Sequence, residues 1–323
     1  MSAPEIPRER LPLAASLEDI SARAARTRVI CLGLSALDQV WSVDKLLSGG
    51  SEKVRSLEYY TTGGGMAANA AVTVARLGGR AAFWGRAGND AAGKEMRQAL
   101  AAEGVDVSQF RLFPEGSSSV SGILVDGTGE RQIVNFRGRF PEDSGWLVLD
   151  EVRAASAVLA DPRWVSGAVS LFQAAKAGGV ATVLDADVAD SEVFEKLLPL
   201  TDHAIFSEPA LRGFGGTEIT KALAKVAQFG CRVAAVTLGA EGVRWLSDNV
   251  MSAQRPDAVE VVDTTGAGDV FHGAYALAIG AGKPVVEAMS FASLAAAVKC
   301  TRQGGRIAIP TLEDCFEFRR TRL

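Results

Sequence analysis

The stretch VVDTTGAGDVFHGAYALAIG, Val261 to Gly280, sets Asp269 where a small-residue turn runs into an apolar helix. Gly266, Ala267 and Gly268 leave their backbone amides unhindered, and the N–H groups of a helix start draw negative charge to one spot. A carboxylate fixed beside such an anion hole could take the proton of an alcohol while the amides stabilise charge on a phosphoryl group in transfer. The plainer reading, an acid that merely complements the helix dipole, fits the spacing equally well. A dinucleotide fingerprint fits poorly, because Phe271 stands at the third glycine position and Asp269 would face the pyrophosphate.

Two further segments carry weaker signals. TTGGGMAANAAVTVARLG puts Gly63, Gly64 and Gly65 before a helix bearing Asn69, whose amide offers sugar hydroxyls both a donor and an acceptor. AGNDAAGKE has the spacing of a phosphate-binding loop but ends in Glu95, where that chemistry needs a hydroxyl. It reads instead as a polar loop capping a helix from about Ala91.

The elements that must position these groups follow from periodicity. From Arg28 onward, β-branched runs such as RVICLGL, AAFWGR, SAVLAD, VATVLDAD, HAIFSE and RVAAVTLG alternate with Ala-rich helical stretches. That order predicts an α/β fold with a doubly wound, largely parallel sheet flanked by helices. Gly78, Gly104, Gly178 and Gly230 read as helix C-caps. Two stretches, about residues 39–61 and 119–138, lack helical texture. The second reads as a hairpin, Ser121–Val125 and Arg131–Phe136 about a DGTG turn. Together they predict a small β-sheet inserted as a lid over the carboxyl ends of the core strands. Residues 1–27 read as a tail or an extra helix outside the domain of residues 28–323.

Composition bounds the function. The chain has 323 residues, 48% of them hydrophobic, which is enough for a substantial core. A net charge of −4 with no basic run excludes a nucleic-acid footprint. No apolar run is long enough for a membrane span, and the first residues lack a signal-peptide pattern. Cys31, Cys231, Cys300 and Cys315 form no C-x-x-C pair and read as reduced thiols of a cytoplasmic protein.

DTTGAGDVFHGA and GGGMAANAAVTVARLG followed by GRAGNDAAG resemble the two signatures of the ribokinase-like, or PfkB-type, carbohydrate kinases, and the likeness runs through the chain from Arg28. The resemblance implies transfer of the γ-phosphoryl group of Mg·ATP to a sugar hydroxyl. It makes Asp269 the base and Gly266, Ala267 and Gly268 the anion hole. Asp38, Gly64, Gly65 and Asn69 would hold the sugar, and Thr237, Gly239 and Gly242 would lie against ATP. Asp263 and Thr265 match a K⁺ position of some members. The family's N-x-x-E motif is replaced by Ser207 and Ala210 in FSEPALR, which leaves Mg²⁺ to Glu208 or Asp187 through water. The exposed lid strands imply a homodimer.

SSSVSGILVDGTGERQIVNF, LADPRW, DHAIFSEPAL and KCTRQGGRIAIP further resemble family members that phosphorylate 6-deoxy-6-sulfofructose. That likeness places the sulfonate against Lys53, Asn135 and Arg163 and the new phosphate on O1. Fructose 6-phosphate is the near rival, since Arg137 and Arg139 could serve a dianion. Fructose or ribose is a further acceptor, and a non-catalytic sugar or nucleotide sensor is the alternative of another class.

Overall fold

The β-branched and Ala-rich runs fold in strict alternation around one large sheet. The computed structural model describes residues 13–51 and 53–321. In chain order the elements are α1 (Leu13–Ala24), β1 (Arg28–Gly33), β2 (Ala36–Val43), β3 (Ser56–Gly64), α2 (Met66–Arg76), β4 (Arg80–Gly88), α3 (Ala91–Ala102) and β5 (Phe110–Phe113). There follow β6 (Val120–Val125), β7 (Arg131–Phe136), β8 (Ala157–Ala160), α4 (Val165–Gly178), β9 (Ala181–Ala186), α5 (Ser191–Leu197), β10 (His203–Ser207), α6 (Glu208–Gly215) and α7 (Ile219–Ala227). The chain closes with β11 (Val233–Thr237), β12 (Val243–Ser247), β13 (Val250–Gln254), α8 (Ala267–Gly280), α9 (Val285–Cys300) and α10 (Leu312–Arg320).

The large sheet has the order β13-β12-β11-β10-β9-β8-β1-β4-β5, parallel from β11 to β5 and antiparallel at β12 and β13. Alternate side chains of each strand feed opposite faces. Val29 and Cys31 join a core with α1, α2, α8 and α9, while Ile30 and Leu32 join one with α4 to α7. Helix α8 is buried from Val270 to Ala278, so the helix that carries Asp269 is locked on every side. No helix among the described residues is long and apolar enough to cross a membrane.

The two inserted stretches form a second sheet, β3-β2-β6-β7, with β6 and β7 as the expected hairpin. Asp90 caps α3 through a bond from the Gly93 amide, 2.8 Å, so AGNDAAGKE is a helix cap and not a phosphate loop. One expected C-cap moves by a residue: Gly178 is the last residue of α4, and Gly179 takes the left-handed conformation with φ 69°. The N-terminal 27 residues contain α1, which buries Leu17, Ile20 and Ala24 in the core; residues 1–12 lie outside the described residues.

Candidate active site

Strands β1, β8, β9, β10 and β11 stand side by side, and their carboxyl ends present Gly33, Asp161, Asp187, Ser207 and Thr237 along one edge. Above that edge, between the lid and the start of α8, lies a cavity of about 640 Å³. This suits a small ligand. Asp38, Asn69 and Asp269 line it, and so do Asn135, Arg137 and Arg163.

Asp269 is oriented by a relay. Its Oδ2 accepts a bond from Asn69 Nδ2 at 2.7 Å, and Asn69 Oδ1 accepts one from Arg306 Nε at 2.9 Å. Arg306 Nη2 also donates to the Gly64 carbonyl at 2.7 Å. The guanidinium thus fixes which way the Asn69 amide points. The glycine triplet leaves room for these charges. A Cβ on Gly63 would fall 1.9 Å from Arg306 Nη1, and one on Gly64 would fall 2.3 Å from Asp38 Oδ2.

Burial, with the nearby Asp185 carboxylate, pushes the Asp269 carboxyl up to about 7, against the lowering effect of the Asn69 bond. Burial also raises Asp38, opposed by the Ser121 hydroxyl and the Arg306 charge. Beneath both, fully buried Asp161 ties three segments together. Its Oδ2 accepts from the Leu34 amide at 2.7 Å and the Ala67 amide at 3.2 Å, and its Oδ1 from the Arg163 amide at 2.8 Å.

The turn before α8 has Gly266 in the left-handed region, φ 77°, and the first amides of the helix lack intrahelical acceptors. Ala267 departs from its expected role. Its amide already closes a turn onto the Thr264 carbonyl at 3.1 Å, which leaves Gly268 and Asp269 as the helix-start donors.

The expected anion-binding trio is only partly assembled. Arg163 lines the cavity, where its guanidinium meets Asp187 Oδ2 at 2.8 Å and the Val188 carbonyl at 2.7 Å. Asn135 lines it too and donates to Ser121 Oγ at 3.1 Å. Lys53 is not brought there, since it lies exposed in the irregular segment between β2 and β3. Arg137 and Arg86 take its place in the lining. Arg86 is buried between the rings of Phe140, 4.8 Å, and Trp164, 4.4 Å.

On the nucleotide side, Thr237 ends β11 and Gly239 and Gly242 shape the turn into β12. These three lie outside the cavity lining, along the same sheet edge. Glu208 is not among the cavity-lining residues and pairs with Arg212 at 2.6 Å. Asp187 does face the cavity. Asp185, absent from the sequence reading, is buried at the end of β9 with Oδ2 unpartnered among the described residues. Burial raises its carboxyl well above the usual range, with Asp161 and Asp187 adding to the effect. Asp263 accepts from Thr265 and Arg131 on one oxygen and from the Gly304 amide on the other.

Residues 26–312 match the pfkB family carbohydrate kinase model. The chain belongs to the PfkB family. Ribokinase of Haemophilus influenzae is 30% identical over 303 residues, 91% of this chain and 98% of that one. Fructokinase of Vibrio alginolyticus is 29% identical, covering 79% of this chain and 91% of its own. The solved structure of Arabidopsis thaliana ribokinase complexed with ribose and ATP superposes with a TM-score of 0.81 at 28% identity, over 90% of this chain and 97% of that one. This PfkB protein is an ATP-dependent carbohydrate kinase with the ribokinase-like fold, a mostly parallel sheet and a second small sheet as lid.

Proposed function

We propose that this kinase phosphorylates the O1 hydroxyl of an anionic ketohexose, 6-deoxy-6-sulfofructose, giving its 1-phosphate. One observation carries the reading: the cavity that holds Asp38, Asn69 and Asp269 also gathers Asn135, Arg137 and Arg163. A neutral sugar has no use for the Arg137 and Arg163 guanidinium groups and an amide, whereas a tetrahedral monoanion is well served by them; the third arginine of the lining, Arg86, is held by Glu142 at 3.1 Å. Asp187 takes up part of the Arg163 charge. That favours a sulfonate over the more highly charged phosphate of fructose 6-phosphate.

In the reaction, Asp269 accepts the proton of the attacking hydroxyl as that oxygen bonds to the γ-phosphorus of ATP and the β–γ bridging bond breaks. The Gly268 and Asp269 amides at the start of α8 take up charge on the phosphoryl oxygens. Asp185, with its unpartnered oxygen, and Asp187 are the groups that would hold Mg²⁺, directly or through water. When bound there, the ion would supply positive charge against the phosphates.

ATP consumption measured over 6-deoxy-6-sulfofructose, fructose 6-phosphate, fructose and ribose tests the substrate; a preference for ribose or fructose 6-phosphate overturns it. Replacing Arg163 by Ala is expected to raise KM for the anionic sugar by roughly tenfold or more, the loss of a charge-assisted bond. The KM for ATP should stay in place. An unchanged sugar KM removes Arg163 from the site.

The reading includes a homodimer through the lid. Strand alternation puts Leu57, Tyr59 and Val134 on the sheet face away from Asp38 and Asn135, and Val134 is 81% exposed. A second copy of the lid would cover this face. Light scattering should give twice the chain mass of 33.8 kDa. Val134→Asp combined with Tyr59→Asp should return the single-chain mass, and a monomeric wild type sinks the assembly.

A further inference from the structure

Lys299 is the least expected charge in the molecule. It sits in the last turn of α9 with no exposed surface, and its Nζ donates to the Asp263 carbonyl at 2.9 Å and lies 3.4 Å from Asp263 Oδ2. A lysine rarely tolerates complete burial without a reason, because its ammonium must give up its water. Here the reason stands beside the anion turn. Asp263 begins the DTTGAG segment that leads to Gly266, and in some members of the family its position binds K⁺.

Asp263 has little left to offer such an ion. Its Oδ1 accepts from the Thr265 amide at 2.9 Å, the Thr265 hydroxyl at 2.7 Å and Arg131 Nη2 at 2.7 Å. Its Oδ2 accepts from the Gly304 amide at 3.1 Å and faces Lys299. Arg131 also bonds the Thr265 hydroxyl, which a cation would need. One carboxylate therefore already answers two cationic side chains, and a free K⁺ would be the third positive charge on it. Burial alone would raise this carboxyl, but the bonds from Thr265 and Arg131 and the Lys299 charge hold it well below the usual carboxylate range.

We propose that the Lys299 ammonium is a tethered substitute for the monovalent cation, shaping the 263–266 turn so that catalysis does not depend on K⁺. An ammonium group and K⁺ have similar size and charge. Covalent attachment through α9 removes the dependence on ion concentration that a bound ion carries. The geometry of Asp263, Thr265 and Arg131 and the expectation of a K⁺ ligand at Asp263 and Thr265 thus disagree, and the disagreement has a named cause.

The test compares wild type and Lys299→Ala in KCl against choline chloride at one ionic strength, by turnover and by thermal melting. Wild type should change by less than about twofold in rate and show no K⁺-specific rise in Tm, since no ion is taken up. Without K⁺ the variant should lose roughly tenfold or more in rate, and K⁺ or NH₄⁺ at ~100 mM, but not choline, should restore both rate and Tm by mass action. Melting needs no acceptor sugar, so it reads the proposal separately from the substrate assignment. Clear K⁺ activation or K⁺-specific stabilisation of wild type overturns the proposal. A folded variant whose rate and Tm both ignore K⁺ overturns it as well. Should the variant not fold in either salt, the wild-type titration alone decides.

Discussion

Asp269→Asn is expected to leave nucleotide and sugar binding intact while turnover falls by at least roughly two orders of magnitude, the usual scale for a positioned base. The amide keeps the shape and can still accept from Asn69 Nδ2, so only the proton acceptor is removed. Wild type should show kcat/KM rising with pH through about 7, where Asp269 ionises in the free enzyme. The residual rate of the variant should lack that limb. Stability should move the opposite way. A carboxyl raised above its unfolded value stabilises the fold fully below the unfolded pKa, and that stability is lost as pH rises through about 7. The variant should therefore melt higher than wild type at pH 8, with the gain fading toward pH 4. Near wild-type turnover in Asp269→Asn refutes the base, and equal melting at both pH values refutes the strained carboxyl.

Arg306→Met should be the next most damaging change. Asn69 Oδ1 and the Gly64 carbonyl would each lose a charged donor inside the protein. Each such loss costs about 1–3 kcal/mol, which corresponds to a fall of roughly tenfold to a hundredfold in kcat/KM if the relay bears on the sugar end. With its acceptor role unsatisfied, the Asn69 amide is free to turn and stop donating to Asp269. The KM for ATP should hold, because Thr237, Gly239 and Gly242 lie on another part of the sheet edge. Arg306→Lys should recover only part of the loss, since an ammonium cannot span both oxygens with a fixed fork. A pH profile whose limb moves with these substitutions marks an effect on Asp269 itself. If sugar and ATP parameters decline together and the pH limb stays put, Arg306 is structural only.

What was legible in the sequence was local. The alternation of β-branched and Ala-rich runs follows from side-chain periods of 2 and 3.6, and it led correctly to the parallel order, the lid and its hairpin. Asp269 stood out because a turn, a helix start and a carboxylate are contiguous. Arg306 did not, because its partner Asn69 is 237 residues away, and nothing in GGRIAIP announces a buried guanidinium. Asp185 was hidden inside a strand-end run, where burial rather than residue type makes it distinctive. The expectation of Lys53 at the sugar rests on the likeness to family members that phosphorylate 6-deoxy-6-sulfofructose. The described residues of the Lys53 segment have no regular pairing between β2 and β3, and Arg137 and Arg86 line the cavity. Nothing in the local sequence singles out Lys299; only packing shows that its ammonium turns inward to Asp263.

The space above Gly63 has a historical consequence. Because the Arg306 guanidinium lies where a Cβ at position 63 would stand, the two sites are coupled: an alanine at 63 makes the guanidinium shift from its bonds to Asn69 and Gly64, and a smaller residue at 306 releases the glycine. Glycine and arginine should therefore be gained and lost together as the lineage diverges. A paired presence at these two distant positions marks which descendants keep the same brace behind their sugar.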